Sequence, residues 1–111
     1  MKNSKLKLLE ESLTVLSLSY DEQKQILPSF VENPMADIVE DFINAFYLVP
    51  QLLDENLIDD NTLKLLVYCY VRVQTNYLNE DWVSKEAFKN HQVWDLARIY
   101  ARKALDKLKN S

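Results

Sequence analysis

The sequence predicts an all-α fold, a single compact domain over residues 1–111 built as a bundle of about five to seven helices, and three observations carry that expectation. The chain holds no glycine, where average usage gives about eight in this length. Apolar residues recur at helical spacing through most of it, and Ser, Thr, Asn and Asp stand where the periodic segments begin. Without glycine, hairpin turns that need positive φ and phosphate-cradling loops that need close backbone approach lose their usual residue. The left-handed position at helix ends then passes to asparagine. Of nine asparagines, Asn56, Asn79, Asn90 and Asn110 fall where periodic segments stop and are read as helix ends.

Leu6, Leu9, Leu13 and Leu16 lie on one face of a first helix over about residues 4 to 17. In "SYDEQKQIL", Ser19 and Glu22 form an S-x-x-E capping box that starts a short helix, which Pro28 requires to end. "ENPMADIVEDFINAFYLVP" repeats the logic, with Asn33 as N-cap, Pro34 in the first helical position and Pro50 as the stop. Ile38, Val39, Phe42, Ile43 and Phe46 make its apolar face and leave Asp37, Glu40, Asp41 and Asn44 on the other side. A short helical turn follows over Pro50 to Glu55. "DDNTLKLLVYCYVRVQTNYL" has strand-forming residues but exceeds strand length, and Leu63, Leu66, Tyr70, Val73 and Tyr77 keep helical spacing. This segment is expected to be the central helix, apolar on most of its surface and largely buried. Ser84 caps a turn containing Ala87 and Phe88, and Trp94, Ala97, Ala101, Leu105 and Leu108 form the stripe of a final helix flanked by Arg and Lys.

A hydrophobic content of 48% with 27% charged residues places the chain among globular domains, not disordered ones. No apolar run reaches the length of a membrane span, and the opening "MKNSKLKLLEES" is amphipathic, unlike a signal peptide, so a cytoplasmic location and no membrane contact are expected. With Cys69 as the single cysteine, no internal disulfide forms.

Candidate chemical sites are few. Cys69 and His91 are the lone thiol and imidazole, so a Cys-His nucleophilic pair is open, beside a buried Cys in "VYCYV" and a surface His near a helix end. A di-iron bundle needs Glu-x-x-His, and Phe88 stands three residues before His91. "DENLIDDN" offers oxygen ligands but lacks the central Gly and closing Glu of a calcium loop. The pairs Asp37/Glu40 and Glu55/Asp59 loosely match the carboxylate constellations of helical nucleotide pyrophosphohydrolases, which keeps a small carboxylate-dependent hydrolase as a third reading. No enzyme activity, cofactor or metal is expected.

Charge is distributed unevenly. The net of −4 divides into +3 over residues 1 to 7, −11 over residues 8 to 63, where Lys24 is the only base, and +4 over the remainder. Between Gln25 and Leu63 stand eight acids and no base. Acids in first helical turns suit the helix dipole, and a charge run is commonly a solvated face. A field of this sign also repels phosphates and draws in cationic surfaces, so nucleic acid is not the expected partner despite the basic last helix. Arg98, Arg102 and Lys103 of that helix are expected to include internal partners for the acidic half.

With "LSYDEQKQILPSFVENPMADIVEDF" leading into "LVPQLLDENLIDD" and a closing "VWDLARIYARKAL", the chain resembles the helical immunity proteins of bacterial contact-dependent growth inhibition and related polymorphic toxin systems. The resemblance implies a protein, monomeric before binding, that covers the active site of a cognate toxin domain, a nuclease, similar to partners of uridylate-specific endoribonuclease toxins. A nuclease presents cations to phosphate, so an inhibitor offering carboxylates takes the substrate's place electrostatically. The contact is read as Asp37, Glu40, Asp41 and Asn44, then Asp54, Glu55, Asp59 and Asp60, with Tyr47 as either an aromatic anchor or a core residue beside Phe46. The alternative is a helical adaptor or chaperone-like module for another basic protein.

Overall fold

The computed structural model describes residues 3–27 and 34–110, which contain seven α-helices, one 3-10 turn and no strand. Helix α1 (Ser4–Ser17) starts at Asn3, whose side-chain oxygen accepts the amides of Lys5 and Leu6 at 2.8 and 3.3 Å. Its stripe is as predicted, with Leu9, Leu13 and Leu16 fully buried. Helix α2 (Tyr20–Ile26) opens on the expected capping box: the Glu22 amide donates to Ser19 Oγ at 3.3 Å, and the Ser19 amide donates to Glu22 Oε1 at 3.1 Å. The buried Gln23 turns back, its Nε2 donating at 2.9 Å to the Val15 carbonyl, which also accepts the Leu18 amide at 3.2 Å, and so ties α2 to the last turn of α1. Pro28 and Asn33, expected to stop α2 and to cap the next helix, lie outside the described residues.

Helix α3 (Met35–Phe46) buries Ile38, Val39 and Phe42, joined by Met35 and Ala45. It ends four residues before Pro50, the expected stop. Pro50 sits instead in the first turn of α4 (Val49–Asp54), where an absent amide hydrogen forfeits no helical bond. Asn56 closes α4 at φ 60°, with the Leu57 amide donating to Leu52 O at 2.9 Å and the Asn56 amide to Leu53 O at 3.0 Å, the paired bonds of a Schellman ending. Among the described residues Asn56 alone takes positive φ outside glycine, which corrects the reading of the other three asparagines. Asn79 is extended and caps the 3-10 turn Glu80–Trp82, Asn110 has φ −103°, and Asn90 ends a helix that leaves through an extended His91. An extended exit needs no left-handed residue.

Helix α5 (Asp60–Tyr77) starts at Asp59, which accepts the Thr62 amide at 2.8 Å. Helix α6 (Lys85–Asn90) is capped by Ser84 as predicted, the Ala87 amide donating to its hydroxyl at 3.0 Å. Helix α7 (Gln92–Lys109) runs antiparallel to α5, since Asn76 Nδ2 donates to Val93 O at 2.8 Å and Cys69 Sγ lies 3.8 Å from Ala97 O. Trp94 is fully buried, edge-on to Phe88 at 4.9 Å between ring centres, and its indole donates to Trp82 O at 2.8 Å. The four longest helices form a ring in which α1 touches α3 and α7, and α5 touches α3 and α7. Their buried side chains make one continuous cluster, and the radius of gyration of 13.7 Å is close to the about 13 Å expected of a compact chain this long.

The hub of this ring is α7, which also holds α6, and the expectation for α5 needs correction. Leu66, Cys69 and Val73 are buried, but Val67, Tyr68 and Val71 are exposed, and Tyr70 is only half-buried, stacked on Phe46 at 4.2 Å. In a chain of this size each long helix meets two long neighbours, so an all-round apolar helix keeps one face in solvent.

Candidate functional site

Asp37, Glu40, Asp41 and Asn44 occupy α3 at intervals of three and four residues, so they adjoin on one face, and all four are exposed. Tyr47, the C-cap of α3, is 62% exposed, which places it at the surface instead of in the core. Asp54 ends α4, Glu55 caps it, Asp59 caps α5 and Asp60 begins it, all exposed. The nine predicted contact residues thus share a surface position, in two sets of different electrostatic character.

None of the seven carboxylates forms an ion pair with a described residue; the pairs of Lys7 with Glu11 at 4.0 Å and of Arg98 with Asp95 at 3.3 Å lie elsewhere. On α3, partial burial lifts the pKa of Asp41 above the usual aspartate value, and the neighbouring charge of Asp37 adds to the effect. Like charges one helical turn apart destabilise a helix, so this face tolerates repulsion. In the second set, the Thr62 amide holds Asp59 below its usual value, with a small contribution from the positive charge of Lys107. Glu55 accepts from Asn3 Nδ2 at 3.3 Å, tying it to the start of α1. Asp59 and Glu55 therefore have local structural roles; Asp37 lies in the first turn of α3, where the helix dipole favours an acid, and Glu40 and Asp41 form no ion pair with a described residue.

Both sets border α1, which the sequence reading left out. Between α1 and α3 runs a groove of about 430 Å³, walled by Leu8, Glu11 and Val15 on one side and by Ile38, Asp41 and Asn44 on the other. Leu8 is 54% exposed although it is a leucine next to the core stripe. Its position between Leu6 and Leu9, off the main stripe, was the available signal; that α3 provides the opposite wall is a tertiary fact.

Arg98 does not serve the acidic half. Its guanidinium is buried over the Phe88 ring at 4.9 Å, donates to Phe88 O at 2.8 Å and pairs with Asp95 of its own helix. Burial lowers the pKa of Arg98, and Asp95 opposes that shift. Arg102 and Lys103 are exposed, and Arg102 acts weakly on Glu22 of α2.

Burial pushes the Cys69 thiol up to about 12, which withholds the thiolate a nucleophile requires at neutral pH. His91 spends Nδ1 on the Val93 amide at 3.2 Å and packs on Trp82 at 5.5 Å. No group of three or more His, Cys, Asp or Glu among the described residues is arranged to hold a metal ion. No described helix is long and apolar enough to cross a membrane. A second exposed surface is apolar: Val67, Tyr68 and Val71 of α5, where Tyr68 meets Tyr100 of α7 at 5.8 Å between ring centres.

The chain is thus an all-α bundle with an acidic face on α3 and a groove alongside it. No family model, curated protein or solved structure matches the chain.

Proposed function

We propose that this chain is a binding protein of the immunity type, which neutralises a cognate toxin domain, a nuclease, by covering its cationic cleft with the carboxylate face of α3 and the adjoining α4 to α5 connection. The observation that supports this reading most is the exposed trio Asp37, Glu40 and Asp41, which forms no ion pair with a described residue and includes a self-repelling pair. Natural chains give up stability where a surface must meet something else, and a cation in the partner relieves this repulsion. Tyr47 at the end of the same helix supplies an exposed aromatic of the kind that anchors interfaces. The apolar surface around Tyr68 and Val71 favours the second reading, a helical adaptor or chaperone-like module, because it offers a further contact for a larger assembly.

The test is capture of the partner from cells, its identification, and charge reversal. Reversal of Asp37, Glu40, Asp41 and Asp54 to Lys is expected to weaken binding about 100-fold or more with the helical spectrum retained, since a desolvated charge pair is worth roughly 2 to 5 kcal/mol. Asp59 is spared because its carboxylate caps α5. Co-production of the wild-type chain is expected to rescue cells from the partner's toxicity. An anionic partner, or binding indifferent to the reversal, overturns the reading.

A further inference from the structure

We propose that the groove between α1 and α3 seats a basic amphipathic helix of the protein partner, with apolar side chains on Leu8 and Val15 and cationic ones against Asp41 and Glu11. The inference rests on the acidic-surface reading and specifies its partner. Two packed helices leave a furrow that accepts a third by ridge-into-groove packing, and recognition of a helix in such a groove uses apolar anchors at helical spacing. The dimensions agree. Leu8 to Val15 spans roughly 10 Å of α1 at 1.5 Å per residue, about two turns of a bound helix. The volume of about 430 Å³ is enough for several side chains.

Charge complementarity fixes the chemistry of the occupant. Among the described residues the lining carries the carboxylates of Glu11 and Asp41 from opposite walls and no base. Lys7 approaches Glu11 only loosely, at 4.0 Å between two exposed side chains, and such a pair exchanges readily for a better one. Asp41 stands on the wall of the groove, facing the seat of the bound helix, and Asp37 one turn away adds a second attraction for a cation there. An acidic helix or a nucleic acid backbone meets the same field as repulsion. Leu8, half in solvent, supplies the apolar contact that the occupant covers. The apolar face around Tyr68 has no comparable charge to specify what covers it.

The probe is a synthetic peptide of about 15 residues, near the length at which isolated helices become stable, with Leu at i, i+4 and i+7 and Arg on both flanks of that stripe. A control peptide replaces each Arg by Glu. Binding is read by fluorescence anisotropy and mapped by amide chemical shifts. The Arg peptide is expected to bind, to perturb amides on α1 and α3 around Leu8, Val15 and Asp41, and to weaken about tenfold on Asp41→Asn and on Leu8→Ala. Asp54→Asn, outside the groove, is expected to leave it unchanged. Both test positions are exposed, and an unchanged circular dichroism spectrum verifies the fold of each variant. Shifts that cluster elsewhere, equal binding of the Glu peptide, or indifference to both substitutions overturn the groove assignment. The two readings separate in the captured complex: if Leu8→Ala leaves the partner bound while the four-site charge reversal releases it, the groove fails and the acidic surface stands. If the reversal releases nothing, the acidic surface itself fails.

Discussion

Asp41 and Asp59 both belong to the acidic surface, yet their pKa values shift in opposite directions, and the difference separates a carboxylate that costs the fold stability from one that supplies it. The pKa of Asp41 is raised, so between the ordinary aspartate value of about 3.9 and the raised one the folded chain holds a proton that the unfolded chain has released. Its contribution to stability is full below that window and is lost as pH rises through the folded value. At neutral pH the ionised carboxylate is a net cost. Asp59, lowered by the Thr62 amide, contributes stability present above the ordinary value and lost as pH falls. Asp41→Asn is therefore expected to melt above the wild type at pH 7, with the gain vanishing once pH drops below the aspartate range, whereas Asp59→Ala melts lower at pH 7. Thermal unfolding followed across pH checks both signs. An Asp41→Asn variant that melts lower at pH 7 would show that its carboxylate supports the fold instead of a partner.

Among the elements, the ending of α4 is the most exacting. The left-handed Asn56 lets the Leu57 and Asn56 amides reach back to Leu52 and Leu53, and Leu52 is fully buried, so the turn fixes where the chain leaves the core for the acidic connection. Asn56→Gly is expected to hold stability near the wild type, while Asn56→Val costs about 1 to 3 kcal/mol, because a β-branched side chain in that region clashes with its own backbone. Urea unfolding distinguishes these outcomes, and equal midpoints for the two variants would mean the turn has relaxed. Local chemistry of this kind explains what the sequence made legible. The Ser19–Glu22 box, the Ser84 cap and the stripe from Trp94 to Leu108 each depend on residues a few positions apart, and each formed as predicted. Features set by long-range packing were not legible. Asn79 and Asn110 look like Asn56 in the sequence, and only the path of the following chain decides which of them turns left-handed. Val67 and Val71 are as apolar as Val73, but α7 and α3 cover a single face of α5. The acids of the candidate surface stood out as a run, while Leu8 and Glu11, its opposite wall, gain their place only once α1 lies against α3.

At the scale of the whole molecule, charge is arranged so that its two signs do not cancel. The bases of α7 meet the acidic half at two places, where Lys107 acts on Asp59 with Lys103 and Asp106 in the same cleft, and where Arg102 acts weakly on Glu22. Among the described residues the α3 face has no such neighbour, so its field extends into solvent, where the proposed partner would meet it. Such a field acts first on encounter: steering raises association rates by about 10- to 1000-fold at low salt. The rate of association with the captured partner is therefore expected to fall steeply between low salt and 1 M, where the Debye length shrinks to about 3 Å. Dissociation is expected to change much less, because contacts already formed exclude the screening ions. Lys103→Glu and Lys109→Glu are expected to leave both rates nearly unchanged, as these side chains are exposed and lie on α7, away from the α3 face. Stopped-flow measurements over a salt series separate the two rates. If the lysine substitutions slow association while reversal on α3 does not, the basic helix is the surface that finds the partner, and the acidic face is solvated surface that shields the bundle from nucleic acid.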